Sequence, residues 1–137
     1  MDYSELYRDF LASADTLRIY RDGALAFASR KERLLPLYDY LNSGAAPEPV
    51  VVFDKIMGNA AALLTVLARG REVFSPLGSE LAVATLEASG IAYHLDKTVP
   101  YILRPDSVNM CPMEELSIGK TPPEFYEALR ARIEASR

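Results

Sequence analysis

The chain predicts an α/β fold, a mixed sheet of about five strands with helices covering it. Three observations predict it. From residue 50 onward, short apolar runs alternate with alanine- and leucine-rich helical segments, the rhythm of parallel β–α–β crossovers. Earlier in the chain, two alternating runs are joined by Asp22-Gly23, the strongest short-range signal for an antiparallel hairpin. Finally, 137 residues, half of them apolar and a quarter charged, suit one globular domain spanning 1–137 with a real core.

The elements follow in order. Ser4 to Ser13 carries Leu6, Phe10 and Leu11 at helical spacing, with Asp2 and Glu5 suited to a helix start. Leu17–Arg21 and Ala24–Ala28 form the hairpin, because Asp and Gly tolerate the positive φ of a type I′ turn. Leu34 to Leu41 returns to helical periodicity, with Pro36 tolerable in its first turn, and Asn42 to Pro47 is a loop. Val50–Phe53 is continuously apolar, as a strand buried on both faces must be. Ile56 to Arg69 reads as a helix stopping at Gly70, Glu72–Phe74 as a short strand, and Ser79–Ser89 as a helix closed by Gly90 in a left-handed cap. Ile91–Leu95 is the next strand. Val99 to Met110 reads as a loop with at most a short strand at Tyr101–Leu103. Cys111 to Leu116 reads as a short helix with Pro112 at its first position, and Thr121 with Glu124 forms a capping box for a last helix to about Glu134.

Composition excludes several functions. The net charge of −4, with cations scattered among acids, offers no footprint for nucleic acid. Ile56 to Ala68, the longest apolar stretch, is too short to cross a bilayer, and the acidic start Met1 to Glu5 is unlike a signal peptide. Cys111 is the sole cysteine, so no intrachain disulfide forms, and a cytoplasmic residence is the expectation.

Ile19–Gly23, Asp54–Leu64, Ser79-Glu80 and Cys111–Glu114 carry a resemblance. Through them the span Leu17–Glu115 resembles a small bacterial family, domain of unknown function 1893, placed in the cytidine-deaminase-like fold. The resemblance implies a three-layer α/β/α sandwich whose antiparallel part is the N-terminal hairpin. It does not carry deaminase activity with it. That chemistry needs His-x-Glu or Cys-x-Glu at one helix start and Pro-Cys-x-x-Cys at the next, holding zinc and a proton shuttle. Here Ile56 stands at the shuttle position, and Leu77 and Glu80 stand where thiolates belong. One His and one Cys cannot assemble the usual three-ligand site, so no metal and no cofactor are expected.

The candidate ligand-binding residues are Asp54, Lys55, Ser79, Glu80 and Arg104. Asp54 and Lys55 stand where a strand hands over to a helix, the place ligands occupy in open α/β sheets. Asp54 is a base or acceptor there, or simply a cap; Lys55 is an anion clamp, or simply solvated. Ser79 and Glu80, at the next junction, face them across one pocket if the strands are parallel, or else cap their own helix. Ser75 reads as ordinary capping, and Gly58 and Asn59, in the first turns of the Ile56 helix, as packing. Arg104 clamps an anion or lies on the surface. Tyr93 and Tyr101 read as strand packing.

Cys111 is the candidate catalytic residue. An N-cap position favours its thiolate, whereas free cysteine is usually a small buried hydrophobe. Three functions remain open: a cleft for a small polar, nucleotide-like ligand; a metal-independent enzyme using Cys111 as nucleophile or sulfur carrier; and an oligomeric interaction module. Ligand binding ranks first, and a homodimer is compatible with each.

Overall fold

Consecutive side chains of a strand point to opposite faces, so the unbroken run from Val50 to Phe53 demands cover on both sides. The computed structural model, which describes residues 2–106 and 108–136, provides it. Its elements are α1 (Ser4–Ala12), β1 (Leu17–Arg21), β2 (Ala24–Ser29), α2 (Leu35–Leu41), β3 (Val50–Asp54), α3 (Asn59–Leu67), β4 (Gly70–Ser79), α4 (Glu80–Ala88), β5 (Ala92–Val99), α5 (Pro112–Ser117) and α6 (Pro122–Ala135). The strands form one mixed sheet in the order β2-β1-β3-β4-β5. β1 is antiparallel to both β2 and β3, whereas β3, β4 and β5 are mutually parallel.

The two faces are covered unequally. Val50 and Val52 join Leu17, Ile19 and Val73 in the larger core, closed by Leu64 of α3, Leu86 of α4 and Phe125 of α6. Val51 and Phe53 turn the other way into a smaller core with Tyr3, Phe10 and Tyr20, beneath α1. There the Phe53 ring lies 5.0 Å from Tyr20 and 5.3 Å from Phe74, in the tilted and edge-on contacts aromatic quadrupoles prefer. Asn59 through Thr65 of α3 are all buried, so this helix is central to the domain and carries no amphipathic stripe.

Local chemistry sets most boundaries. Asp22 and Gly23 have φ of 51° and 77°, the left-handed pair of a type I′ turn. Pro36 lies in the first turn of α2, and Thr121 and Glu124 form a reciprocal capping box at α6.

Four expectations are corrected. The Ile56 helix begins three residues later, at Asn59, because Met57 pairs with the extension of β4: its N–H donates to the Leu77 carbonyl (2.8 Å) and its carbonyl accepts from Ser79 N–H (3.1 Å). Gly58 is therefore the N-cap of α3 and not a residue of its first turn. That helix ends with Arg69 in the left-handed region (φ 63°), and Gly70 already belongs to β4. β4 runs to Ser79, well beyond Phe74, although Pro76 has no N–H for the ladder: Ser75 and Leu77 pair with Leu95 and Lys97 on either side of it.

Candidate functional site

The alternation that buries β3 separates its last residue from the next. Asp54 shares the parity of Val50 and Val52 and faces α3. Lys55 shares that of Val51 and Phe53 and turns under α1, where its Nζ donates to the Ser13 carbonyl (2.9 Å) and lies 4.6 Å from the Phe10 ring centroid. The half-buried Lys55 ammonium thus serves the C-terminus of α1, while the residue also lines the cleft beside Asp54.

Asp54 opens into a cleft of about 680 Å³. One wall is the β3–α3 junction (Asp54, Ile56, Gly58, Ala60), a second is Arg33 and Leu34 ahead of α2, and the third is Ile102–Pro105 with Cys111–Glu114. Apolar side chains supply most of the lining. Asp54 itself is 9% exposed. Its hydrogen bond, from Ile56 N–H to Oδ1, is long at 3.3 Å, and Oδ2 accepts none among the described residues. The Lys55 N–H is engaged with the Thr16 carbonyl at 3.2 Å. Burial pushes the Asp54 carboxyl up to about 7, with the Ile56 and Lys55 amides opposing the shift. The group therefore exchanges its proton near neutrality, which suits an acid, a base or a hydrogen-bonding anchor.

Ser79 and Glu80 do not join it. Ser79 is fully buried and caps α4, its Oγ accepting from Ala82 N–H at 3.1 Å; Glu80 is exposed, and neither lines the cleft. The crevice expected between the two junctions is filled by Met57, whose backbone pairs with β4. Ser75 is buried, its Oγ donating to the Leu77 carbonyl at 2.9 Å around Pro76. Arg104 and Cys111 do line the cleft with Asp54. Cys111 is half-buried, its N–H donating to the Ile102 carbonyl (2.8 Å) and its side chain making no capping bond. His94 lies elsewhere, stacked 4.3 Å from Phe74 with Nε2 2.7 Å from Glu72. Tyr93 donates to Glu87 at 2.5 Å.

Glu114 is the organising residue that the sequence reading passed over. Its side chain is buried, and the carboxylate accepts from Asn59 N–H through Oε1 and from Ile102 N–H through Oε2, each at 2.6 Å. It thus caps α3 from a distance of 55 residues and ties down the wall that carries Ile102. Asn59 completes the junction, donating to Ser117 Oγ (3.0 Å) and accepting from Thr85. Gly58 sits in a tight place: a Cβ would lie 3.0 Å from Ile102 Cγ1 and 3.2 Å from Glu114 Oε1, so those neighbours would have to yield. The available signal was the glycine itself, placed where a helix start was expected.

The family model for a domain of unknown function, DUF1893, matches residues 7–133. This chain belongs to that family. It is also similar to the crystal structure of a DUF1893 family protein from Thermotoga maritima, at 23% identity and a TM-score of 0.85, over 94% of this chain and 88% of that one. Identity at that level speaks for the shared fold alone. No curated protein matches the chain. Among the described residues of this DUF1893 chain, no three of the His, Cys, Asp and Glu side chains lie together as a metal site. Nor is any helix long and apolar enough to cross a membrane.

Proposed function

We propose that this chain is a small-molecule-binding domain of cytidine-deaminase-like architecture whose ligand, a nucleotide-like compound, occupies the Asp54 cleft. The antiparallel first pair of strands, followed by three parallel strands with α3 and α4 between them, supports that architecture. The zinc that such a fold implies does not fit the residues present. Ile56 stands at the proton-shuttle position, Leu77 offers no donor atom, and Glu80 is exposed outside the cleft. No deamination step is derived.

One observation carries the reading: a carboxyl that is nine-tenths buried, lacks an ionic partner and opens on an otherwise mostly apolar cleft. Its one hydrogen bond among the described residues, from Ile56 N–H at 3.3 Å, only partly replaces the hydration lost on burial, and a ligand N–H on Oδ2 would supply another. A planar, partly polar ring fits between Leu34, Ile56, Ile102 and Met113, with its N–H on Asp54 and an acidic substituent toward Arg33 or Arg104. Titration calorimetry with nucleobases, nucleosides and nucleoside monophosphates tests this. The monophosphates bind most tightly, and Asp54→Asn weakens them by about tenfold or more, the usual worth of a charged hydrogen bond. Binding unchanged by Asp54→Asn, or the absence of binding in all three classes, overturns the reading.

A further inference from the structure

We propose that Cys111 is a nucleophile for small anionic disulfides, which Arg33 and Arg104 draw into the cleft and the thiol captures as a mixed disulfide. This rests on the reading of the cleft as a ligand site and names the reaction class it supports. The thiol is half-buried and lines the same cleft as Asp54, so a ligand anchored on that carboxyl is in the neighbourhood of the sulfur. Sγ makes no capping hydrogen bond, while the Cys111 backbone is fixed on both sides, N–H to Ile102 and carbonyl from Glu115 N–H at 3.0 Å. A half-buried thiol without a capping hydrogen bond, on a pinned backbone that lines the cleft, is left free to react with what enters.

The charge in the cleft sets the substrate class. Arg33 and Arg104 both line it, and among the described residues neither forms an ion pair, whereas Arg18 and Arg30 both pair with Asp15. Arg104 only donates weakly to the Met110 carbonyl, at 3.3 Å. The nearby Asp106 carboxylate is engaged by the Val108 and Asn109 amides and the Asn109 side chain. Arg33 holds its backbone at φ 60°, a conformation L residues rarely adopt and one that persists where surrounding structure imposes it. Two guanidinium groups on separate walls favour an incoming carboxylate or other anion.

The step balances without a further reagent. The thiol proton passes to solvent, and Sγ attacks one sulfur of the disulfide. That S–S bond breaks as the new one forms, and the second sulfur leaves as a thiolate. The cysteine is oxidised to the mixed-disulfide level and the departing thiol is reduced. A free thiol reverses it.

The test uses the whole 137-residue chain, whose only cysteine gives no background. Mixed-disulfide formation is followed by intact mass with dithiodiglycolate (anionic), bis(2-hydroxyethyl) disulfide (neutral) and cystamine (cationic), and each rate is divided by that of the urea-unfolded chain. The expected order is anionic, neutral, cationic, with the first exceeding the second by about tenfold or more at low salt. The preference collapses on raising ionic strength from about 0.01 M to 1 M, which shortens the Debye length from about 30 Å to 3 Å. It also falls in Arg33→Gln and Arg104→Gln, with the neutral reagent unaffected. Equal normalised rates, a salt-insensitive order, or labelling only on unfolding overturn the proposal. Calorimetry on Cys111→Ser keeps the two readings apart: nucleotide binding retained there leaves the Asp54 cleft standing even if the sulfur proves inert.

Discussion

Two strand-to-helix junctions lie side by side in this sheet, and they are built in opposite ways. At the β4–α4 junction the strand passes directly into the helix, and Ser79 caps its own helix through Ala82 N–H. At the β3–α3 junction three extended residues, Lys55 aside, intervene, and the helix is capped by Glu114 from α5. The local cap closes its junction and leaves no cavity. The remote cap ties the Ile102 segment to the start of α3, and both line the cleft.

Breaking the remote cap has the largest expected effect. Glu114→Ala leaves the buried Asn59 amide and the Ile102 amide without acceptors, a cost of roughly 2–6 kcal/mol at 1–3 kcal/mol for each orphaned donor. Urea denaturation reads it, and a loss below about 1 kcal/mol would make the two junctions equivalent after all.

Asp54→Asn comes next and acts in the other direction. Folded Asp54 holds its proton to about pH 7, whereas the unfolded chain releases it near 3.8. The folded state therefore binds more protons at Asp54 between those values, so this residue's contribution to stability is greatest below pH 4, falls as pH rises through this window and levels off above 7. The shift amounts to roughly 4 kcal/mol at most. Asp54→Asn removes that fall and is the more stable protein at pH 8. Stability curves for both chains across pH 4–9 check this, with Cys111, Glu114, Arg33 and Arg104 sharing the cleft in each.

Glycine contrasts sharpen the comparison further. Gly58→Ala drives a methyl against Ile102 and the fixed Glu114 carboxylate, costing about 1–3 kcal/mol. Gly78→Ala, on the other junction, places its Cβ 2.5 Å from Leu95 Cδ1 and 3.2 Å from its Cγ, so it destabilises at least as much, and thermal unfolding of the two variants compares the junctions. The smallest effect is Ser79→Ala, about 1 kcal/mol for a lost N-cap, with ligand binding in the Asp54 cleft unchanged.

The legible parts of this protein were those governed by neighbours in sequence. The Asp22-Gly23 turn, the two-face burial of Val50–Phe53, the Pro36 helix start and the Thr121–Glu124 box each depend on a few adjacent residues, and each is found in the structure. Asp54, Lys55, Arg104 and Cys111 were legible as candidates and all line one cleft. The separation of Asp54 from Lys55 was also within reach, because strand parity alone puts consecutive residues on opposite faces.

Tertiary structure decided the rest. Ile56, Met57 and Gly58 carry helical periodicity with Leu63 and Leu64, yet the pairing of Met57 with Leu77 and Ser79 keeps them extended. That same pairing fills the gap through which Ser79 and Glu80 were expected to face Asp54. The role of Glu114 was invisible because its two hydrogen-bond partners, Asn59 and Ile102, lie 55 and 12 residues away. A sequence states which groups need partners through rules of short range. Which distant group answers the need is settled only when the chain has closed on itself, since burial and hydrogen bonding depend on what is near in space.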